Sequence, residues 1–157
     1  MMDNVMMYKK RYHACAATTF ALIADLTGVD SSDVFKALVG LSGGVGLAGN
    51  SACGALIGAA AAISLSFDLD RNRLAADNEA EFRVHAVVRK IVDRFIGKYG
   101  GITCYEVQLA LHGKAFDLNN PEQRCDFSLI DKRCSETIRD AVEWTVKVLS
   151  ETNRSDT

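Results

Sequence analysis

Five cysteines, Cys15, Cys53, Cys104, Cys125 and Cys134, are the residues of this chain best equipped for chemistry. A thiolate can act as a nucleophile, a soft metal ligand or a redox partner, and its surroundings decide which. The five are dispersed, with no C-x-x-C pair and no C-x-x-C-H haem-attachment site. Any shared site must therefore be assembled by the fold. Cys53 has the most suggestive local setting. In residues 41–67, LSGGVGLAGNSACGALIGAAAAISLSF, a loop carrying Gly43, Gly44, Gly46 and Gly49 runs into an apolar helix. Asn50 or Ser51 can cap that helix, which places Cys53 in its first turn, where the helix dipole favours a thiolate. Gly54 and Gly58 share a helical face with Ala55, Ala59 and Ala62 nearby, so another backbone or a cofactor can approach closely there. Thr103-Cys104-Tyr105-Glu106 reads as a capping box, making Cys104 the first residue of its helix. Cys134 falls within about two turns of a third helix start. Cys15, Cys53 and Cys134 lie on faces assigned inward. Thiolates converging in this way could ligate a metal or an iron–sulfur cluster, or cycle as disulfides. The bland reading is that cysteine is among the most buried residue types and these residues fill core. Cys125 follows Gln123-Arg124 in a polar stretch and reads as incidental.

Other motifs carry less. Gly44-Val45-Gly46-Leu47-Ala48-Gly49 matches GxGxxG, with Asp68 near the offset of a ribose-binding acid. A dinucleotide fold needs a strand before that loop and several parallel strands after it, whereas the chain from Asn78 onward is helical in pattern, so a dinucleotide is disfavoured. His13, His85 and His112 are scattered and read as structural or solvent-facing. His112 sits in a last helical turn, where a cation is favoured. The acids Asp68, Asp70, Asp77, Glu79 and Glu81 read as solvation and capping.

The elements that must position these residues are helices. Residues 4–26 form a first helix with Tyr8, Tyr12, Cys15, Thr19, Leu22 and Leu26 at helical spacing, stopped by Gly28. Asp30 or Ser31 caps a short second helix through Val34, Phe35, Leu38 and Val39. The glycine loop and a third helix, residues 52–67, follow. Residues 68–77 form a charged connecting loop. Residues 78–98 form a fourth helix, with Val84, Val88, Ile91, Phe95 and Tyr99 as its stripe. A fifth helix runs from Cys104 to its stop at Gly113, and residues 114–127 are loop. Ser128-Leu129-Ile130-Asp131 caps a sixth helix whose inner face is Cys134, Ile138, Ala141, Val142, Thr145 and Leu149. The expected fold is all-α: a single-domain bundle of about six helices over residues 1–151, with a glycine-rich loop before the central helix. Residues 152–157 form a frayed tail.

Composition narrows the partners. A net charge of −2 and the lack of any basic run give no footprint for nucleic acid. The single proline, Pro121, fits a mainly helical chain. No charge occurs between Lys36 and Asp68, longer than the roughly 20 residues of a membrane span. Half of that stretch is glycine-rich loop, however, and the rest is mostly Ala and Gly, which argues for a buried central helix instead. The N-terminus lacks the charged, apolar, small-residue order of a secretory signal, so the expected compartment is the cytoplasm, where structural disulfides are rare.

The chain resembles a known family. Cys53-Gly54-Ala55-Leu56-Ile57-Gly58 is CGAxxG behind a glycine-rich approach. Cys15 stands in HACAATTF, Cys104 in YGGITCYEV and Cys134 in KRCSETIRDAVEWTVKVL. This pattern is similar to the redox-active C-GCAxxG-C-C family of small proteins with four signature cysteines, over Cys15 to about Leu149. The resemblance implies redox or metal chemistry at Cys15, Cys53, Cys104 and Cys134. It suggests kinship with the iron–sulfur part of split-Soret cytochromes, which are helical and dimeric; their haem half has no counterpart motif here. The resulting expectation is an electron carrier with one iron–sulfur cluster, 2Fe–2S by analogy, held by these four thiolates. Cys53 and Cys104 would be the reactive pair, and Gly43, Gly44, Gly46, Gly54 and Gly58 would line the cofactor. The expected assembly is a homodimer that works with a separate redox partner protein. The alternatives are a thiol–disulfide oxidoreductase or sensor using Cys53 with one partner cysteine, and a non-catalytic helical interaction module.

Overall fold

The apolar helix after Cys53 has no polar face to turn toward water, so it must be surrounded. In the structure, a computed structural model, it is the central element of an all-α bundle. The description covers residues 1–155 except Asp68 and Asn78, with side chains as far as Thr152. The helices in order are α1 (Met2–Tyr12), α2 (Cys15–Thr27), α3 (Ser32–Leu38), α4 (Gly54–Ser66), α5 (Arg71–Ala76), α6 (Ala80–Tyr99), α7 (Cys104–His112), α8 (Pro121–Ile130) and α9 (Cys134–Ser155). Short 3-10 turns follow α3 (Val39–Leu41) and α8 (Asp131–Arg133). No strand occurs among the described residues; an isolated antiparallel bridge joins Ala52 to Thr103. No helix among the described residues is long and apolar enough to cross a membrane.

Helix α4 packs most extensively on α2 and also meets α6 and α9. Phe20 and Ile23 of α2, Ala59 and Ile63 of α4, Ile91 and Phe95 of α6, and Ile138 and Val142 of α9 make the centre of the core, all fully buried. The α2–α4 contact depends on glycine. A Cβ at Gly58 would fall 2.3 Å from the Ala16 carbonyl oxygen.

Several boundaries differ from the sequence reading. The expected first helix is two helices, because His13 adopts φ 61° and stops α1. Nothing but a mild left-handed preference of histidine marks that break. Part of the 68–77 loop is α5, capped by Asp70, whose Oδ1 accepts from Arg73 N at 2.7 Å. The 114–127 loop contains the start of α8, where Asn120 caps and Pro121 takes the first helical position. Ser128 therefore lies inside α8 and caps nothing; the last helix begins at Cys134. Asn78, the expected start of the fourth helix, and the ribose-offset acid Asp68 lie outside the described residues. Before the GxGxxG match stand α3 and its 3-10 turn, the expected second helix, and not the strand that a dinucleotide fold needs. Helix α9 continues to Ser155, past Thr152 where the tail was expected; residues 156–157 lie outside the described residues.

A buried carboxylate ties α9 to the end of α6. Asp140 accepts from Tyr99 Oη at 2.6 Å and Arg139 Nη2 at 2.8 Å, and pairs with Lys98. Burial pushes its carboxyl up, but the bonds from Lys98, Tyr99 and Arg139 outweigh that and leave it below the ordinary carboxylate value. A depressed folded pKa adds stability above the unfolded value of about 3.9, lost as pH falls through the folded value. Asp140→Ala is therefore expected to cost about 2–3 kcal/mol at pH 7 in urea denaturation. The deficit should shrink below about pH 4. An equal deficit at pH 7 and pH 3 would contradict this account.

Candidate functional site

Each of four cysteines begins a helix. Cys15, Cys104 and Cys134 are the first residues of α2, α7 and α9, and Cys53 is the N-cap of α4. Neither Asn50 nor Ser51 caps α4. Instead, residues 49–53 pair with residues 102–105. Cys53 N donates to Ile102 O at 2.7 Å, Cys104 N to Ser51 O at 2.9 Å and Tyr105 N to Gly49 O at 2.9 Å. These bonds fix Cys53 and Cys104 relative to each other. The capping box on α7 forms as expected: Glu106 N donates to Thr103 Oγ1 at 3.1 Å, and Thr103 N to Glu106 Oε2 at 2.8 Å. Cys15 is brought alongside by Gly54, where an added Cβ would stand 3.0 Å from Cys15 Cβ. Ser42 Oγ accepts from Ala16 N at 3.2 Å and so ties the glycine loop to the start of α2.

That loop is a left-handed turn. Gly43, Gly44, Val45, Gly46 and Leu47 have φ between 57° and 77°. An L-residue pays roughly 1–2 kcal/mol for this conformation, so Val45 and Leu47 carry strain of the kind that collects at functional sites. The turn is held by Gly46 N to Gly40 O at 2.8 Å, Gly49 N to Gly43 O at 3.0 Å, and Asn119 Nδ2 to Leu47 O at 3.1 Å. The loop glycines thus serve backbone conformation first. Of the five glycines expected at a cofactor, Gly43 and Gly54 line the cavity described next. Gly44 packs 2.9 Å from the Gly49 backbone by the position of its missing Cβ, Gly46 faces open space, and Gly58 serves the α2 contact.

Cys15, Cys53, Cys104 and Cys134 line one cavity of ≈ 230 Å³, walled also by Val107, Leu118 and Phe127 and reached by Lys9 and Arg124. All six pairs among the four thiols lie close enough to repel one another's charge. No three metal-ligating side chains among the described residues stand close enough to share a single ion. Cys125 is exposed on α8 and outside the cavity.

The expected thiolates are corrected by burial. Burial pushes the Cys53 thiol up to about 12, with the charges of Cys15 and Cys104 adding to the rise; the N–H groups of Ala55 and Leu56 pull the other way without prevailing. Burial also raises Cys15, Cys104 and Cys134. The helix dipole acts over one turn, whereas desolvation acts on the whole side chain. In the metal-free, reduced protein, Cys125 should therefore react with a thiol reagent at pH 8 at least tenfold faster than the other four, whose labelling should speed up on denaturation. Five equal rates in the folded protein would contradict it. The raised values also predict a stability loss with alkali. It should be absent below the unfolded thiol value of about 8.5 and grow as pH rises toward 12.

Two residues that touch the cysteines, Gln108 in the cavity wall and His112 behind Cys134, escape a reading centred on cysteine. Gln108 is fully buried and its Nε2 donates to Cys104 Sγ at 3.1 Å. His112 Nε2 stands 3.6 Å from Cys134 Sγ. Burial, and then the charge of Arg133, lowers the His112 pKa, so the expectation of a helix-terminal cation fails there. The readable signal was spacing: Cys104, Gln108 and His112 are four residues apart on one helix. His13 is exposed at the cavity mouth, and His85 lies exposed against the Phe82 ring.

Fold and site together define a helical tetracysteine protein, in which four helix N-termini deliver four thiols to one apolar cavity. The chain belongs to the family described as "Putative redox-active protein (C_GCAxxG_C_C)", whose model matches residues 13–148. No curated protein and no solved structure matches it.

Proposed function

We propose that this redox-active protein is an electron carrier in which Cys15, Cys53, Cys104 and Cys134 hold one iron–sulfur cluster, 2Fe–2S by preference. The observation that carries the reading is the convergence of these four thiols, and not Cys125, on one cavity. The donor set is soft and matches iron–sulfur ligation. When bound, such a cluster supplies one-electron exchange. The chain's own part is to make four thiolates tolerable in an apolar cavity. Burial keeps the free thiols neutral, and the positive charge of bound iron would offset the cost of the four buried thiolates once their protons are released. Helix N-termini then favour the negative charge, as does Lys9 at the cavity wall, against the opposing charge of its partner Asp131. Gly43 and Gly54 bring bare main chain to the wall, where N–H groups can meet sulfur.

The setting that goes with this reading is cytoplasmic and homodimeric, with a separate redox partner protein. Exposed Val39 and Val45 beside the left-handed turn suit an interface. A second reading, thiol–disulfide exchange by Cys53 with Cys15 or Cys104, is favoured by the closeness of these thiols while all are free. Visible absorption and iron content of anaerobically purified protein separate the two. Coloured protein with stoichiometric iron supports the cluster. Colourless, iron-free protein that forms a Cys53 disulfide on oxidation supports exchange and overturns the cluster.

A further inference from the structure

Helix α7 presents three residues to the site in one line: Cys104, Gln108 and His112. The first supplies a sulfur and the other two supply ring or amide nitrogen to sulfurs. Gln108 Nε2 lies 3.1 Å from Cys104 Sγ, and His112 Nε2 lies 3.6 Å from Cys134 Sγ. We infer that Gln108 and His112 are positioning residues of the redox site, donating N–H···S hydrogen bonds that set its reduction potential.

The orientation of the Gln108 amide is fixed by its other end. Phe116 N donates to Gln108 Oε1 at 2.8 Å. A backbone N–H can only donate, so the atom facing it is the oxygen and the NH2 faces Cys104. A fully buried glutamine has no water to turn to, and this bond is what satisfies its nitrogen. The His112 ring is held edge-on by Phe116 and Phe127, with centroids 6.3 Å and 5.9 Å away. Phe116 thus braces both donors, through its backbone for one and its ring for the other. Once Cys134 has given up its proton to bind a metal, its sulfur is an acceptor and His112 Nε2–H is the donor. A hydrogen bond to a sulfur ligand favours the more negative, reduced state and raises the potential.

The inference rests on the cluster reading, so its test has one arm that needs no cluster. In the iron-loaded protein, Gln108→Met and His112→Phe keep volume and remove the donors. Each is expected to retain iron and to lower the midpoint potential in dye equilibration. The reduced-to-oxidised ratio at fixed potential should fall about tenfold, ~59 mV for a one-electron couple. His112→Gln, which restores an N–H, should recover part of the shift. A merely structural role would lower stability and leave the potential where it was. In the iron-free reduced protein, NMR should show the Gln108 side-chain amide protected from solvent exchange, with the protection lost in Cys104→Ala. Wild-type potentials in both donor variants, or a freely exchanging Gln108 amide, would overturn the inference. Protein without iron that keeps the protected amide would overturn the cluster while leaving the hydrogen bonds standing.

Discussion

Serine at any one of Cys15, Cys53, Cys104 or Cys134 is expected to strip the anaerobically purified protein of its iron and its colour, while Cys125→Ser retains both. Serine preserves the shape of the side chain, but its hydroxyl has a far higher pKa and is a hard donor, so it does not replace a soft thiolate on iron. The four sensitive positions share a structural definition. Each stands at the beginning of its helix and each lines the same cavity. Cys125 lies exposed on α8 with neither property. If the four were core filler, their serine variants would keep whatever function the protein has. Each would lose only the stability that burying a hydroxyl costs, of order 1–3 kcal/mol. If Cys53 worked with one partner, two positions would be sensitive and three tolerant. Iron content, visible spectra and thiol titration of the five single variants decide among these. Equal iron retention in all five would sink the cluster. Iron loss in Cys125→Ser as well would mean that the ligand set is wrong.

What the sequence disclosed and what it concealed divide along the range of the forces involved. The capping box at Thr103 and Glu106 was legible because all its donors and acceptors lie within four residues. The stripe of α6 was legible because one face is apolar over several turns: Val84, Ile91, Phe95 and Tyr99 are buried and Val88 is half-buried. The burial of α4 followed from its having no polar side. The break at His13 was not legible, since the periodicity of α1 runs on into α2 and the residue that stops it is neither glycine nor proline. Nor was the left-handed turn, because Val45 and Leu47 are poor residues for that conformation and are held there by contacts far away in sequence, such as Asn119 to Leu47. Which cysteines belong together followed from the family pattern. Their meeting did not follow from spacing, because it depends on how α2, α4, α7 and α9 pack. The thiolate expectation failed for the same reason. A helix dipole can be read from a cap, but desolvation can be read only from the neighbours the fold supplies.

The same Gly→Ala change is expected to act with opposite signs at two helical positions, and the contrast tests the packing that brings the cysteines together. Gly97 lies on the exposed side of α6 with nothing within 4 Å of the place its Cβ would take. Alanine there should stabilise the protein by about 0.5–1 kcal/mol, through helix propensity alone. Gly58 offers the same gain in propensity, but its Cβ would lie 2.3 Å from Ala16 O, 2.9 Å from Thr19 Cβ and 3.1 Å from Phe20 N. Two of those atoms, Ala16 O and Phe20 N, belong to the helical backbone of α2 and cannot swing aside. Restoring ordinary contact requires α2 and α4 to separate by about 1 Å. That opens the tightest interface of the core and forfeits contacts along its whole length, a cost of about 3 kcal/mol or more against a gain of about 1. Gly58→Ala should therefore unfold at clearly lower urea concentration than wild type, and Gly97→Ala at slightly higher. The consequence reaches the site, because α2 begins with Cys15 and α4 begins just after Cys53. Separating the helices draws those sulfurs apart, so Gly58→Ala should also lose bound iron although no cysteine has been touched, and Gly97→Ala should keep it. A Gly58→Ala protein of wild-type stability would mean that the helices do not approach this closely, and the placement of Cys15 beside Cys53 would fall with that contact.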